Sequence, residues 1–421
     1  MKVLIITYYW PPAGGSGVQR WLKFVKYLRD FGIEPIVYTV ENANYIKEDV
    51  TLAEEIPEGI TVLKQPTWQP EQLLFWKKKK KNQQQVATLT SSKFLSFIRG
   101  NFFIPDPKVF WVKKSVNFLK EYVQQENIDA IVSTGPPHSM HLIALKLKQK
   151  TAVKWLADFR DPWSDLYYNQ DFNHSSIAKR IHKDLEKKVL EQADLVTTVS
   201  NSLKELLQNK ASNVQVITNG FDEEVTNEST ISLDAKFTIS YIGLLPKQSH
   251  SDIFFKVIQS LIENNKEFKR DIHLNFVGDI CDEVKKSVEK YNLQNFITFH
   301  GYVAHKKAIE FQKKSQVLLL LIPNVIHNEG ILTGKLFEYL TTERPILAIG
   351  PKGADLEKIL SETKTGTVIE HNNEKEISEE ILKLYELYTA NTLKVTKEST
   401  MQFHRRELTK QLAIQLKQLI N

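Results

Sequence analysis

Lys2-Val3-Leu4-Ile5-Ile6-Thr7-Tyr8, running through Tyr9-Trp10 into Pro11-Pro12-Ala13-Gly14-Gly15-Ser16-Gly17, is the stretch on which the reading of this chain turns. Its opening is an apolar run of strand length, and the glycines that follow permit a tight turn. Val18, Trp21, Leu22, Val25 and Leu28 then recur at helical spacing, Gly32 ends the helix, and Ile33 to Val40 reads as a second strand. Strand, turn, helix, strand is a βαβ unit, which requires a parallel sheet with a right-handed crossover. An apolar start can also open a signal peptide. Here it stops at Tyr8-Tyr9-Trp10-Pro11-Pro12 without a small-residue cleavage pattern, so a buried first strand is expected.

The alternation continues outward. Strands are expected at 130–133, 153–157, 195–199 and 214–217, with helices beginning near His138 and spanning 178–190 and 202–207. A second series starts near residue 236, with strands at 237–243, 274–278, 297–299, 317–322 and 345–349. The fold class is therefore α/β, with two Rossmann-like doubly wound parallel-sheet domains. The expected division is 1–224, a polar linker at 225–235, and 236–403. An amphipathic helix within 404–421 lies beyond the last strand and is expected to pack back on the first domain.

Composition agrees. At 421 residues, 42% hydrophobic and 25% charged, the chain is globular and long enough for two domains. Cys281 is the only cysteine, which excludes a disulfide framework and a four-thiolate metal site and fits a reducing, cytoplasmic compartment. No apolar stretch approaches the ~18 residues that span a bilayer.

In open α/β sheets, ligands sit at the carboxyl ends of strands. Three clusters fall there. Gly14, Gly15 and Gly17 follow the first strand and allow close approach of a ligand to the backbone, although a plain tight turn would look the same. Thr333 and Gly334 should open a helix on which Lys335 and Glu338 share a face. There an anion would meet free N–H groups and the Lys335 ammonium, while Glu338 would accept from vicinal hydroxyls, as a nucleotide's phosphate and ribose require. An ordinary surface ion pair is the alternative. Ser133 to His138 and Asp158 to Trp163 follow two further strands. His138 could polarise a hydroxyl, Asp158 and Asp161 could accept a proton or bind sugar hydroxyls, and Arg160 and Trp163 lie on the same acceptor side. A structural ion-pair network of Arg160 and the aspartates would also fit.

With these in view, the chain resembles the large retaining glycosyltransferase family four, of the GT-B fold class, nearly end to end. Pro11-Pro12 before Gly14-Gly15 and Gly17 resembles its glycine-rich loop, and Ala193-Asp194-Leu195-Val196-Thr197-Thr198-Val199-Ser200 resembles one of its strands. Asn219-Gly220-Phe221-Asp222, Phe299-His300-Gly301-Tyr302-Val303 and Gly334-Lys335-Leu336-Phe337-Glu338-Tyr339-Leu340 with Arg344-Pro345-Ile346 complete the series. The resemblance implies two Rossmann-like domains facing an interdomain cleft, a UDP- or GDP-linked sugar donor and a hydroxyl acceptor. It places the ribose on Glu338, the diphosphate on Lys335 and the glycine loop, and the base near Tyr302. It also implies retention of configuration, with no cofactor and no metal, and no Asp-x-Asp triplet occurs in the chain. The family's earlier glutamate, eight positions before Glu338, is Gly330 here, and Glu329 is the nearest acid. Only Lys247 stands where the family offers two cations after the second domain's first strand.

The formal net charge is +6, yet residues 76–120 hold eleven Lys or Arg against Asp106 alone. Trp76 and Lys77, Lys78, Lys79, Lys80 and Lys81 head this segment, with phenylalanines interleaved further on. Such a patch suits peripheral contact with an anionic membrane on its inner face and a lipid-linked or cell-surface glycan precursor as acceptor. A solvated lysine loop is the plain alternative, and nucleic acid is not expected. Rival functions are a nucleotide-sugar-modifying enzyme such as a hydrolysing 2-epimerase, and a catalytically silent nucleotide- or partner-binding protein.

Overall fold

The computed structural model describes the chain except residues 44, 46–47, 69–92, 165–173, 223–230 and 397. It divides into two compact units, Met1–Thr218 with Arg405–Asn421, and Asn219–His404. Most of the polar linker expected at 225–235 lies outside the described residues.

The first unit is built on β1 (Lys2–Ile6), β2 (Glu34–Val40), β3 (Thr61–Gln65), β4 (Ala130–Gly135), β5 (Lys154–Phe159), β6 (Leu195–Thr198) and β7 (Val214–Val216). They form one parallel sheet in the order β3-β2-β1-β4-β5-β6-β7. Successive strand residues point to opposite faces. Leu4 and Ile6 accordingly join Trp111, Met140 and Trp155 on one face, while Val3 and Ile5 join Trp21, Leu22 and Val25 on the other. Helices cover both faces, which is why β1 is apolar at every interior position. The Arg405–Ile420 helix packs against the Ser16–Leu28 helix, adding Leu408, Leu412, Ala413 and Leu416 to the second of these clusters.

The second unit holds β8 (Phe237–Ile242), β9 (Ile272–Val277), β10 (Ile297–Gly301), β11 (Val317–Leu321), β12 (Ile346–Ile349) and β13 (Gly366–Ile369), parallel in the order β10-β9-β8-β11-β12-β13. In each sheet the order reverses once, between β1 and β4 and between β8 and β11. Loops leaving the carboxyl ends of two adjacent strands diverge there and leave a crevice, the usual ligand position in such sheets. β3 and β13 were not among the expected strands. Both are edge strands, and β3 is half-exposed and holds only Val62 and Leu63 as apolar residues, so it carries no apolar run.

Candidate active site

At the β8/β11 crevice, the short Gly334–Tyr339 helix is pinned by its last residue. The buried Tyr339 hydroxyl accepts a hydrogen bond of 3.0 Å from the Ile242 N–H at the end of β8. That anchor sets Lys335 over Gly243, where an added Cβ would stand 2.6 Å from the lysine's Cε. Gly243 has φ +117°, as does Gly278 after β9, whose own added Cβ would stand 2.5 Å from the Gly243 carbonyl oxygen. Only glycine fits either place.

Lys335 Nζ donates to the Leu244 carbonyl at 3.0 Å and lies 5.1 Å from the centre of the Tyr241 ring. No carboxylate pairs with it directly among the described residues. Burial pushes its ammonium down to about 8, against an opposing pull from Glu338. A cation so placed is stabilised by any anion that enters. One turn on, Glu338 receives Gln312 Nε2 at 2.9 Å. Thr333 begins the helix, and its hydroxyl is buried with no partner among the described residues.

The remaining donor-side candidates sit on loops at the same carboxyl rim. Tyr302 follows β10 and is 70% exposed. Lys247 lies in the turn after β8, exposed, and is paired with Glu283 at 3.3 Å. Glu329 is exposed in the Asn328–Gly330 turn, which Asn328 ties to the Pro323 carbonyl at 3.0 Å.

In the first unit, the loops after β1, β4 and β5 are joined by one side chain. Arg160 donates from Nη1 to the Gly17 carbonyl at 3.0 Å, from Nε to the Gly135 carbonyl at 3.1 Å, and from Nη2 to the Pro136 carbonyl. The guanidinium therefore clamps the crevice at β1/β4. Gly15, at φ +92°, opens the Ser16–Leu28 helix, and Gly14 packs closely on Asp49.

His138 stands at the start of the Ser139–Thr151 helix with its ring stacked on Trp163, 4.7 Å between centroids and 6° between planes. Both ring nitrogens are buried without a partner among the described residues. Burial holds the imidazole well below its ordinary pKa, with His141 and Arg160 adding to the effect, so it is neutral. Trp163 is itself 1% exposed, and its indole N–H donates to His182 at 3.1 Å. Its ring supports that of His138.

Asp158 departs from expectation. The carboxylate is fully buried and accepts from Arg20 Nε and Nη2, Trp21 Nε1, Thr134 Oγ1 and Thr197 Oγ1. Burial pushes the group up, but Arg20, Trp21 and Arg160 outweigh it and bring the carboxyl below its ordinary pKa. Its oxygens are already engaged by these donors, as in the structural ion-pair network that the sequence also allowed. Asp161 contrasts with it. It is half-buried, pushed up by burial against the pull of Arg160, and makes no hydrogen bond among the described residues. Of the two aspartates, Asp161 is the one left available.

Arg20, Gln312 and His141 escaped the sequence reading. His141 packs on Phe159 at 4.4 Å and meets Ser133 Oγ at 2.8 Å. Among the described residues no three metal-ligating side chains converge, and no helix is long and apolar enough to cross a membrane. Trp76 and Lys77–Lys81 lie outside the described residues. Beside that segment, Trp68 and Phe110 meet edge to face at 4.7 Å and are both exposed.

Comparison with known proteins agrees with this geometry. A family model described as Glycosyltransferase Family 4 matches residues 15–225, and one described as Glycosyl transferases group 1 matches residues 236–387. No curated protein matches the sequence. A glycosyltransferase structure from Rickettsia africae ESF-5 is 17% identical, with a TM-score of 0.62 over 100% of this chain and 98% of its own. Anabaena Alr3699/HepE, in complex with UDP and glucose, is 15% identical, with a TM-score of 0.65 over 99% and 100%. A variant of S. aureus TarM, in complex with Fondaparinux, alpha-GlcNAc-glycerol and UDP, is 11% identical, with a TM-score of 0.60 over 100% and 99%. At such identities the likeness speaks to the fold.

Proposed function

Since this chain belongs to Glycosyltransferase Family 4 and is a glycosyltransferase of the GT-B fold, we propose that it moves a sugar from a UDP- or GDP-linked donor to a hydroxyl of a lipid-linked or cell-surface glycan precursor. The reading rests above all on Lys335, a half-buried ammonium with no carboxylate paired to it among the described residues, set over Gly243 at a strand-order reversal. A diphosphate there restores the solvation that burial removed, and its ribose falls toward Glu338, one helical turn on. Alr3699/HepE and TarM were solved with UDP, which supports a uridine donor.

Transfer proceeds with retention. The acceptor oxygen bonds the sugar's C1 on the face from which the diphosphate departs, and the acceptor proton passes to a leaving phosphate oxygen. Lys335 and Lys247 balance the charge that grows on the diphosphate, so no metal is required. His138, neutral and with ring nitrogens that have no partner among the described residues, and Asp161 are the first unit's groups for the acceptor or the donor sugar. Exposed Trp68, Phe97, Phe102 and Phe110, near Arg99, Lys113 and Lys114, suit contact with an anionic lipid surface. Flotation with phosphatidylglycerol vesicles but not with neutral ones is expected, and equal recovery with both overturns that contact.

The donor reading is tested by thermal shift with UDP, GDP and their sugar conjugates in the presence of EDTA. At 100 times its dissociation constant, a ligand stabilises by ~2.7 kcal/mol. The wild-type chain should show this for uridine or guanosine diphosphates, and Lys335→Ala and Glu338→Ala should lose most of it. A wild-type chain indifferent to every nucleotide rejects the reading.

A further inference from the structure

The His305–Lys314 helix has the sequence His-Lys-Lys-Ala-Ile-Glu-Phe-Gln-Lys-Lys, and its one fully buried residue is polar. Gln312 is 1% exposed. A position where a lysine-rich surface helix meets the core ordinarily takes a leucine or isoleucine. Gln312 instead buries a carboxamide whose Oε1 has no partner among the described residues, and an amide left short of partners in the interior costs free energy. Its one side-chain hydrogen bond among the described residues is the 2.9 Å contact from Nε2 to Glu338 Oε2. The orientation of that amide is dictated by chemistry, because the opposite one would set a carbonyl oxygen against a carboxylate. A buried polar residue that bonds only Glu338 among the described residues is explained by what it does to Glu338.

We infer that Gln312 is a positioning residue, holding one carboxylate oxygen of Glu338 by a charge-assisted hydrogen bond so that the other is presented to the ribose hydroxyls of the donor. The inference rests on the ribose role assigned to Glu338 above. Without the bond, the side chain turns freely about its terminal torsions and must be ordered anew by each nucleotide that binds.

The test separates the two claims through a pair of ligands, UDP and 2′,3′-dideoxy-UDP, or the guanosine pair if the wild-type chain binds GDP more tightly. The measured quantity is the ratio of their dissociation constants by calorimetry. Glu338→Ala should bring the ratio close to one. Gln312→Met, which keeps the volume and removes the donor, should lower it about ten-fold, the equivalent of one charge-assisted hydrogen bond. Gln312→Glu, isosteric but repelling Glu338, should lower it at least as far. Affinity for the dideoxy nucleotide should stay within two-fold of wild type in both Gln312 variants, as a merely structural role would not allow. A ratio kept in Gln312→Met but lost in Glu338→Ala overturns the positioning role and leaves the ribose role standing. A ratio unchanged in Glu338→Ala removes both. Equal weakening of both nucleotides in Gln312→Met marks a packing defect and also overturns the inference.

Discussion

Arg20 stands where a dinucleotide-binding loop would carry its third glycine, and its side chain accounts for the substitution. It is 1% exposed, pairs with Asp158 at 2.9 Å, and donates to the Thr218 carbonyl at 2.9 Å. Removing one partner of a buried pair leaves the other charged and unsolvated, at a cost of about 3–5 kcal/mol. Arg20→Met should therefore lower the unfolding free energy by that order in urea titrations, and Asp158→Asn should cost a comparable amount, because it leaves the Arg20 guanidinium unpaired and sets an amide N–H against a ring of donors. His141 makes a second case. Burial takes its pKa from 6.5 down to about 3. Between those values the unfolded chain holds one proton more than the folded one, so stability is complete above pH 6.5 and falls as pH drops through the window. Wild-type stability should fall by about 2 kcal/mol more than that of His141→Gln between pH 6.5 and 5. Lys335 and Glu338 were legible in the chain because three-residue spacing on a helix is a local pattern. Arg20 and Gln312 were not, since their partners lie 138 and 26 residues away and nothing local marks the pairing.

At the level of elements, the strands read most easily were the central ones. β1, β8 and β11 are buried along nearly their whole length and therefore mostly apolar, whereas β3 has neighbours on one side only and shows a mixed composition. The glycine loop was legible as a turn, but the clamp that Arg160 forms around it was not, because its acceptors are backbone carbonyls and leave no trace in side-chain identity. The Arg405–Ile420 helix was recognisable from its apolar stripe. Leu408, Leu412 and Leu416 lie on one face, at 2%, 1% and 0% exposure. A charge at the middle of that stripe should detach it: Leu412→Asp is expected to lower unit-one stability by more than 3 kcal/mol. Limited proteolysis should then cut ahead of residue 405 at protease levels that leave the wild-type chain whole.

Across the whole molecule, each unit has its own sheet and its own pair of hydrophobic clusters. Stabilisation by a nucleotide should follow that division. Hydrogen exchange with and without UDP is expected to show protection at 243–247, 301–303 and 328–340, with little change at 130–135 or 195–198; protection confined to the first unit would place the nucleotide there instead. The two units also differ in how the chain builds them. The second is continuous, but the first is completed only by a helix encoded after residue 404. On the ribosome, at about 5–20 residues per second, the first unit waits about 10–40 s for that helix while the second is being made. Throughout that interval the apolar surface around Val18, Trp21, Leu22 and Val25 lacks its final cover. The newborn chain is thus a client for chaperones that hold exposed apolar surface, and slowing translation across 219–404 should lower the yield of soluble protein without altering a single residue.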